Sequence, residues 1–239
     1  MKEELKTKDF ATLTVAYNDE KVIGGMLKGV EDLHNLVIIS TPWRGKHVQF
    51  DKTGKIAERL GAEIIYQDFG TEGEERNFGM EYLEKRGFKY VFIIDSDEYY
   101  TKENIYKMMK YVKEYSFESY KNRNDKVYWK SWKYYFQHSG CNSCLRSDIR
   151  FRSKRDPDTS NYTAFGGIEM HHFTFERTEK EMLEKAETRE YEVLTKSWLE
   201  KYWINWKPGE NYKNFKIVPT TEIPEEILGR YIKSINLLY

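Results

Sequence analysis

Three carboxylates that stand within four residues, directly after an apolar run, are the side chains of this sequence best suited to chemistry. The run 92–94 (Phe-Ile-Ile) is followed by Asp95, Asp97 and Glu98. Like charges crowded at the end of a strand repel one another, so a cation or several hydrogen-bond donors must lie among them. Mg2+ and Mn2+ prefer oxygen ligands and are commonly shared between one or two carboxylates and substrate phosphates. The cluster therefore predicts a metal site in which Asp95 and Asp97, on an extended backbone, point the same way; the alternative is a solvated turn that caps the next helix.

The segments around this cluster alternate between strand-like and helix-like patterns. Apolar runs predict strands at 11–17, 36–40, 63–66 and 90–95, and the stretches between them predict helices at 20–33, 52–60 and 74–86. A helical stripe of apolar residues follows from residue 105. Strands separated by helices of this length predict an α/β fold with a mostly parallel sheet and helices on both faces. Such sheets bind ligands beyond the carboxyl ends of their strands, where the acidic cluster falls.

The pattern changes after residue 116. The stretch 127–136 is aromatic on both faces and predicts one strand, 148–160 is charged and loop-like, and 170–175 predicts another strand. Helices are predicted at 178–190 and 196–205, and a helical or extended tail from 220. The chain shows no repeat and no clear linker. We therefore predict a single domain over residues 1–239, whose second half packs against the carboxyl ends of the parallel strands.

Composition excludes several classes of function. The 39 basic and 39 acidic residues cancel, so the chain lacks the charge footprint of a nucleic-acid-binding protein. Its apolar runs are too short to span a bilayer, and its first residues lack the apolar segment of a signal peptide. We expect a soluble, cytoplasmic protein without a transmembrane segment, for which peripheral membrane contact stays possible.

Two residue groups have functional and structural interpretations. Cys141 and Cys144 have the spacing of a redox or metal pair, but no second pair completes a zinc site, so an incidental or structural pair is favoured. Aromatic residues at helical spacing within 198–206 could rest on a membrane interface. Such spacing is more often that of a core, which we favour.

Three segments, taken in order, resemble the GT-A glycosyltransferases, and among these the family 2 enzymes and their relatives. Residues 15–20 (Val-Ala-Tyr-Asn-Asp-Glu) are similar to the family's first strand and Tyr-Asn-x-Glu loop, and 76–79 (Arg-Asn-Phe-Gly) to the Arg-Asn-x-Gly before its metal strand. Residues 95–98 then stand at the Asp-x-Asp position. A fourth segment, 172–177, resembles a His-x-small-aromatic-x-Arg pattern of some relatives. The resemblance implies a GT-A fold, with a nucleotide-sugar-binding half at about 10–115 and an acceptor-side half at about 116–239.

The resemblance also implies a donor, a cofactor and their ligands. The donor would be a UDP- or GDP-sugar whose diphosphate is bridged to the protein by Mn2+ or Mg2+. We expect the transferred sugar to be a hexose. A metal at that place stabilises the charge of the leaving nucleoside diphosphate. The implied metal ligands are Asp95, Asp97 and His172. The implied nucleotide-sugar contacts are Tyr17, Asn18, Glu20, Asp68, Arg76, Asp95 and Arg177.

Some of these residues have structural alternatives. Arg76 suits a phosphate oxygen but could equally pair with a neighbouring glutamate. Tyr17 could stack on the base or belong to the core. Adjacent residues of a strand point to opposite faces, so His171 and His172 cannot both reach one ion. His172 shares the polar face of its strand, and we expect it to be the ligand.

The acceptor side is less defined. An inverting transferase needs a general base, for which Glu169 is our choice and Asp148 the alternative. The acceptor, whether a glycan, a lipid-linked sugar or a protein, stays open. The base of the nucleotide stays open too, because the second strand ends Ser-Thr-Pro-Trp (40–43) where the family has acidic residues. The other functions considered are a non-catalytic glycan- or protein-binding module and a sugar-nucleotide nucleotidyltransferase, which would need a glycine-rich loop after its first strand.

Overall fold

The first half of the chain alternates strands and helices, as its sequence predicts. The computed structural model describes residues 7–40, 50–188 and 194–236, so the predicted strand end at 41–43 lies outside the described residues. After a 3-10 turn, the elements of this half are β1 (Phe10–Ala16), α1 (Ile23–Gly29), β2 (His34–Ile39), α2 (Thr53–Arg59), β3 (Glu63–Tyr66), α3 (Glu72–Lys85), β4 (Tyr90–Ile93), β5 (Glu98–Tyr99) and α4 (Lys102–Glu114).

The second half is richer in short strands. Its elements are β6 (Ser119–Lys121), β7 (Asp125–Trp129), β8 (Ser131–His138), β9 (Asn142–Arg146), β10 (Phe151–Ser153), β11 (Asp156–Pro157), β12 (Tyr162–Ala164), β13 (Met170–Phe175), α5 (Glu179–Thr188), α6 (Lys196–Trp198), β14 (Val218–Pro219) and α7 (Glu225–Asn236). A π-helical stretch (Leu199–Ile204) continues α6.

A central sheet of seven strands, in the order β12-β6-β9-β4-β1-β2-β3, carries the fold. β1 pairs in parallel with β2 and β4, and β2 with β3, whereas β9 runs antiparallel to β4 and β6. Every residue of β1 is buried, because apolar clusters lie on both faces of the sheet. Helices α1 and α4 contribute to one cluster and α3 to the other, which confirms the predicted α/β fold with a mostly parallel sheet and helices on both faces. β6, β9 and β12 come from beyond residue 116, so the two predicted halves share this sheet.

A second sheet, in the order β14-β8-β7-β13-β5, corrects one prediction. The stretch 127–136 is not one strand, because the chain reverses at Lys130 and β7 and β8 form an antiparallel hairpin. Lys130 has a φ of 60°, a conformation that glycine and asparagine adopt most readily. Because a lysine stands here, the sequence does not predict the turn. The loop-like stretch 148–160 likewise contains a short hairpin of β10 and β11.

The two sheets meet at the acidic cluster. β4 ends at Ile93 in the central sheet, and β5 begins at Glu98 in the second sheet, where it pairs antiparallel with β13. In that register Glu98 lies opposite His172. The four residues from Asp95 to Glu98 are therefore the joint between the sheets, at the carboxyl end of a central parallel strand.

The aromatic stretch 198–206 is core, as favoured from its spacing. Trp198, Trp203 and Trp206 are all less than 10% exposed and pack in an apolar cluster with residues of β7 and β8. Among the described residues, none of the helices has the length and apolar character needed to cross a bilayer. Cys141 and Cys144 are free thiols, and Cys144 is buried.

Candidate active site

The acidic cluster is a tight turn and not the extended segment that the sequence predicted. The Glu98 N–H donates to the Asp95 carbonyl oxygen over 3.0 Å, and the Glu98 carboxylate accepts from the Asp95 N–H over 3.0 Å. This reciprocal bonding bends the backbone directly after β4. As a consequence, the side chains of Asp95 and Asp97 meet different partners.

Asp95 is held between the buried Arg76 and the partly buried Arg155. Arg76 donates to one carboxylate oxygen over 2.9 Å and Arg155 contacts the other over 3.3 Å. Burial alone would raise the pKa of Asp95, but these two guanidinium groups bring it to about 2. Arg76 is fully buried and also donates to Glu72 over 2.6 Å, which agrees with its structural alternative, and its predicted contact to a phosphate stays a prediction. Its place on α3, one helical turn after Glu72, explains the pairing.

Arg155 is a residue of this site that the sequence did not reveal. It lies in the turn between β10 and β11, and its guanidinium contacts the carboxylates of both Asp95 and Glu98. It also donates to the carbonyl oxygens of Ile93 over 2.7 Å and Asn142 over 3.2 Å. Arg155 thus braces the acidic turn from the central-sheet side. No short motif marks it, because its carboxylate partners are about sixty residues earlier in the chain.

Asp97 faces three other cationic side chains. The His172 Nε2 lies 3.2 Å from its Oδ1, while Arg177 and Lys185 each approach its Oδ2 to 3.3 Å. Burial would raise the pKa of Asp97, but Lys185, His172 and Arg177 hold it well below its ordinary value. Burial would likewise lower the pKa of His172, which the Asp97 carboxylate instead raises. The structure therefore brings together Asp97, His172 and Arg177, as predicted, and adds Lys185.

Asp19, in the loop after β1, joins the same group of charges. Its carboxylate accepts from Arg177 over 3.1 Å and from the Ser96 hydroxyl over 2.7 Å, and it is 2% exposed. Arg177 thus bridges the first loop of the central sheet to Asp97. The sequence placed Asp19 in the right loop, but only the fold shows that its side chain, rather than those of its neighbours, turns towards the acidic turn.

The other polar residues of that loop have local partners. Asn18, with a φ of 50°, accepts from the Asp51 N–H over 3.1 Å, and Glu20 accepts from the Lys52 N–H over 3.0 Å. Both side chains tie the loop to the start of α2, so their predicted contacts to the nucleotide stay predictions.

Two predicted nucleotide contacts lie along the same edge of the sheet. The Tyr17 ring meets the Phe50 ring edge-on at 6.2 Å, and its buried hydroxyl has no hydrogen-bond partner among the described residues. Asp68 is exposed just beyond β3. Their contacts to a base stay predictions.

The two neighbouring histidines point to opposite faces of β13, as parity predicted. His172 faces Asp97, whereas the His171 Nδ1 lies 2.7 Å from the Tyr128 hydroxyl and its Nε2 lies 3.0 Å from Glu169. Glu169 also pairs with Lys126 over 2.9 Å. The hydrogen bond from His171 and the nearby Lys126 outweigh burial and lower the pKa of Glu169 to about 2.

These contacts argue against both predicted general bases. Glu169 lies with His171, on the face of β13 opposite to Asp97, and a carboxylate with so low a pKa is a poor proton acceptor. Asp148 is half exposed and is paired with Arg146, whose hydrogen bond lowers its pKa. In the structure Glu169 is a partner of His171 and Lys126, and its role as a general base stays a prediction.

The residues at Asp97 suit a divalent cation only with help from a substrate. Among residues 7–40, 50–188 and 194–236, no group of three or more His, Cys, Asp and Glu side chains is placed to hold a metal ion. One carboxylate oxygen of Asp97 and one imidazole nitrogen of His172 do converge. Because Mg2+ and Mn2+ are usually held by one or two carboxylates together with water and substrate phosphates, this pair fits such an ion. Asp95, with an arginine on each oxygen, fits it less well.

Comparison with known proteins gives the fold and the family. Among solved structures, PcManGT, a mannosyltransferase from Pyrobaculum calidifontis in complex with GDP-Man and Mn2+, shares 10% identity over 75% of this chain and 61% of its own, with a TM-score of 0.50. Staphylococcus aureus TarS 1-349 in complex with UDP-GlcNAc shares 14% identity over 69% and 58%, with a TM-score of 0.47. TarS 1-349 in complex with UDP shares 20% identity over 50% and 36%, with a TM-score of 0.39.

These similarities define what is shared and how far it extends. The chain spans less than two thirds of each of these three structures. No curated protein matches its sequence. The fold is that of the GT-A nucleotide-diphospho-sugar transferases. The model of glycosyl transferase family 2 matches residues 49–177, which is more than half of the chain and includes the acidic turn, Arg155 and Arg177. The chain therefore belongs to glycosyl transferase family 2.

Proposed function

We propose that the protein transfers a sugar from a nucleoside-diphosphate sugar to an acceptor hydroxyl. The observation that carries the proposal is the convergence of Asp97, His172, Arg177 and Lys185 at the carboxyl end of β4. A carboxylate and an imidazole suited to a divalent cation stand there beside two permanent cations suited to a diphosphate. Membership of family 2 supports the same reaction class.

The donor is held, in this proposal, along the edge formed by β1, β3 and β4. Asp97 and His172 would hold Mn2+ or Mg2+, which when bound supplies positive charge to the diphosphate of the leaving group. Arg177 lies beside Asp97 and presents a guanidinium to phosphate oxygens. Tyr17 and Asp68 lie further along the edge, where the base would rest.

The donor proposed is a UDP- or GDP-hexose. The chemistry of the edge does not choose between the two nucleotides, and structures similar in fold are complexes with UDP-GlcNAc and with GDP-Man. Asp95 would contact the ribose or the sugar, since its carboxylate keeps a partly exposed edge between its two arginines. The acceptor, whether a glycan, a lipid-linked sugar or a protein, is assigned to the surface contributed by residues beyond 116.

Thermal denaturation with nucleotides tests the proposal. UDP and GDP should each be added to the full chain with Mn2+ and, separately, with EDTA. A nucleotide at a hundred times its dissociation constant adds about 2.7 kcal/mol to the free energy of unfolding. We expect one nucleotide to raise the melting temperature with Mn2+ and not with EDTA. An equal rise in EDTA would contradict the metal bridge, and no rise with either nucleotide would contradict the function.

A further inference from the structure

Helix α5 delivers a buried ammonium group to the acidic turn. Lys185 is 7% exposed, although lysine is seldom buried without a partner. Its Nζ donates to the Thr174 hydroxyl over 2.5 Å and approaches the Asp97 carboxylate to 3.3 Å. Helix α5 starts at Glu179, just beyond the part of the chain that the family model matches. Lys185 therefore lies outside the part of the chain that the family model matches.

The charges around the turn are already close to balance. In the described part of the chain, five buried or half-buried carboxylates there pair with four permanent cations. The carboxylates are those of Asp19, Glu72, Asp95, Asp97 and Glu98, and the cations are Arg76, Arg155, Arg177 and Lys185. His172 adds a further positive charge when it is protonated, and the buried Asp125, which interacts with Glu98, adds at most a partial negative charge because burial raises its pKa to about 7. A divalent cation arriving alone would therefore meet a group of side chains with little net negative charge to offer it.

Asp97 in particular has no oxygen without a cationic neighbour. Its Oδ1 faces His172 and its Oδ2 faces both Arg177 and Lys185. Arg177 is also bound to Asp19, and its planar group is less able to move. Lys185 ends in a compact charge on a flexible stem, so it can exchange a carboxylate oxygen for a phosphate oxygen within a short distance.

We propose that Lys185 is the resident counter-cation of Asp97, which it leaves for the donor's diphosphate when nucleotide and divalent cation bind together. This inference rests on the proposed function, which supplies the diphosphate. In the nucleotide-free protein Lys185 neutralises Asp97 and disfavours binding of the metal alone. In the complex its ammonium pairs with phosphate, so that Asp97 is released to the metal.

The consequence is a coupling between the two ligands. The nucleotide draws the like-charged Lys185 away from the metal, and the metal replaces Lys185 at Asp97, which otherwise competes with the phosphates for the ammonium group. Each ligand therefore tightens the binding of the other by the same factor. Removing the ammonium should loosen this coupling from both sides. Metal alone should then bind more tightly and nucleotide more weakly, a pair of opposite changes that a loss of packing does not produce.

Mn2+ binding measured by electron paramagnetic resonance of the free ion tests this directly. The full chain, Lys185→Met, Lys185→Arg and Lys180→Met should be titrated with Mn2+ alone and again with saturating UDP or GDP. Lys180 lies on the same helix with its side chain 86% exposed, and serves as the matched control. For Lys185→Met we expect affinity for Mn2+ alone to rise by about tenfold and the enhancement by nucleotide to fall by about tenfold. Lys185→Arg keeps the charge, so its affinity for Mn2+ alone should stay close to that of the unaltered chain, whereas its planar group, which is less able to move, should lower the enhancement by nucleotide.

The outcomes separate the possible failures. If Lys185→Met behaves like Lys180→Met, or weakens Mn2+ binding without nucleotide, the proposal is wrong. Should Lys185→Met fail to fold, Thr174→Val removes the hydroxyl that holds Lys185 and is expected to shift both affinities the same way by a smaller factor; no shift would overturn the proposal. Failure of the proposed function would look different, since neither nucleotide would then bind to the unaltered protein at any concentration of Mn2+.

Discussion

At the scale of single residues, the site is built from ion pairs whose members come from distant parts of the chain. Asp95 is paired with arginines of α3 and of the β10–β11 turn, and Asp97 with residues of β13, its following loop and α5. Each carboxylate therefore has a stabilising role beside its proposed role in binding. Mutations of these residues will affect stability and activity together.

Asp97→Asn distinguishes two expectations for the stability of the protein, namely relief of repulsion between carboxylates and loss of a buried ion pair. Crowding of carboxylates in the sequence predicts that removing one would not destabilise the protein. The structure instead predicts a loss of roughly 3 kcal/mol in the free energy of unfolding, because Lys185 and Arg177 lose a buried anionic partner. Chemical denaturation measures this, with the exposed Asp156→Asn as control. Turnover of the nucleotide sugar should be abolished, and a variant of unchanged stability would contradict the pairing described.

Glu169→Gln should leave turnover within about threefold of the unaltered enzyme, since its carboxylate serves His171 and Lys126. A true general base contributes about 10²- to 10⁴-fold to the rate. Steady-state kinetics with the donor that the thermal assay identifies will decide the matter. A hundredfold loss in kcat at unchanged stability would restore Glu169 to the role that the sequence predicted.

The sequence predicts the direction of a side chain where alternation along a strand decides it. It does not predict contacts between residues that are distant from one another in the chain. His172 and His171 were distinguished correctly because alternation along a strand is a local property. The pairing of Arg76 with Asp95 is not predictable, because nothing in the segment around Arg76 shows that Asp95, nineteen residues later, contacts it. Lys185 and Arg155 were missed for the same reason, since no spacing within their own elements marks them as parts of the site.

At the scale of elements, the acidic turn is a fixed connection between the central sheet and the second sheet. β4 and β5 belong to different sheets, and the turn from Asp95 to Glu98 is held by Arg155 and by the reciprocal bonds of Asp95 and Glu98. The turn of the β10–β11 hairpin positions Arg155 against the acidic turn. Its sequence is charged because one arginine points inward while its neighbours remain in solvent.

Arg155→Met should destabilise the protein by roughly 3 to 5 kcal/mol, because the fully buried Glu98 carboxylate loses its cationic partner. Lysine at the same position should recover little, since one ammonium cannot bridge two carboxylates and two carbonyl oxygens. Arg152→Met, in the same hairpin with a side chain 58% exposed, is the control. Urea denaturation monitored by tryptophan fluorescence gives both values. Equal stability of the two methionine variants would show that the hairpin does not brace the turn.

Elements with a clear periodicity of apolar residues were predictable from the sequence. Elements defined by an unusual turn were not. The strands at 63–66 and 170–175 have the predicted bounds, and the helix predicted at 74–86 begins two residues earlier, at a capping box of Thr71 and Glu74. The β7–β8 hairpin was read as one strand because its reversal takes place at a lysine. The strands β10 and β11 are too short to show apolar alternation, although Phe151 and Pro157 are buried.

At the scale of the whole molecule, buried charge sets how stability responds to pH. Glu176, after β13, accepts a hydrogen bond from Tyr231 of α7. Burial, reinforced by the neighbouring Glu181, raises the pKa of Glu176 to about 7. Asp97 and Glu169 have lowered pKa values and work in the opposite direction.

Glu176→Gln should therefore change the pH dependence of stability with a definite sign. The unfolded carboxyl titrates at about 4.3, so between that pH and about 7 the folded protein holds a proton that the unfolded chain has released. The stability contributed by Glu176 is fully present at low pH and is lost as pH rises through about 7. The variant should match the unaltered protein at pH 4 to 5 and exceed it in melting temperature at pH 8. A difference that is the same at both values would contradict the raised pKa.

The contact between α7 and α1 has a consequence for the newborn chain on the ribosome. Arg230 donates to the Gly25 carbonyl oxygen across 205 residues of sequence, and Ile227 and Tyr231 enter the apolar cluster that contains Met26 of α1. At a translation rate of ~5–20 residues per second, the apolar face of α1 waits roughly 10 to 40 s for the helix that covers it. During that interval the apolar surface of α1 that α7 covers is exposed, and we expect a chaperone that binds nascent apolar segments to engage the chain there.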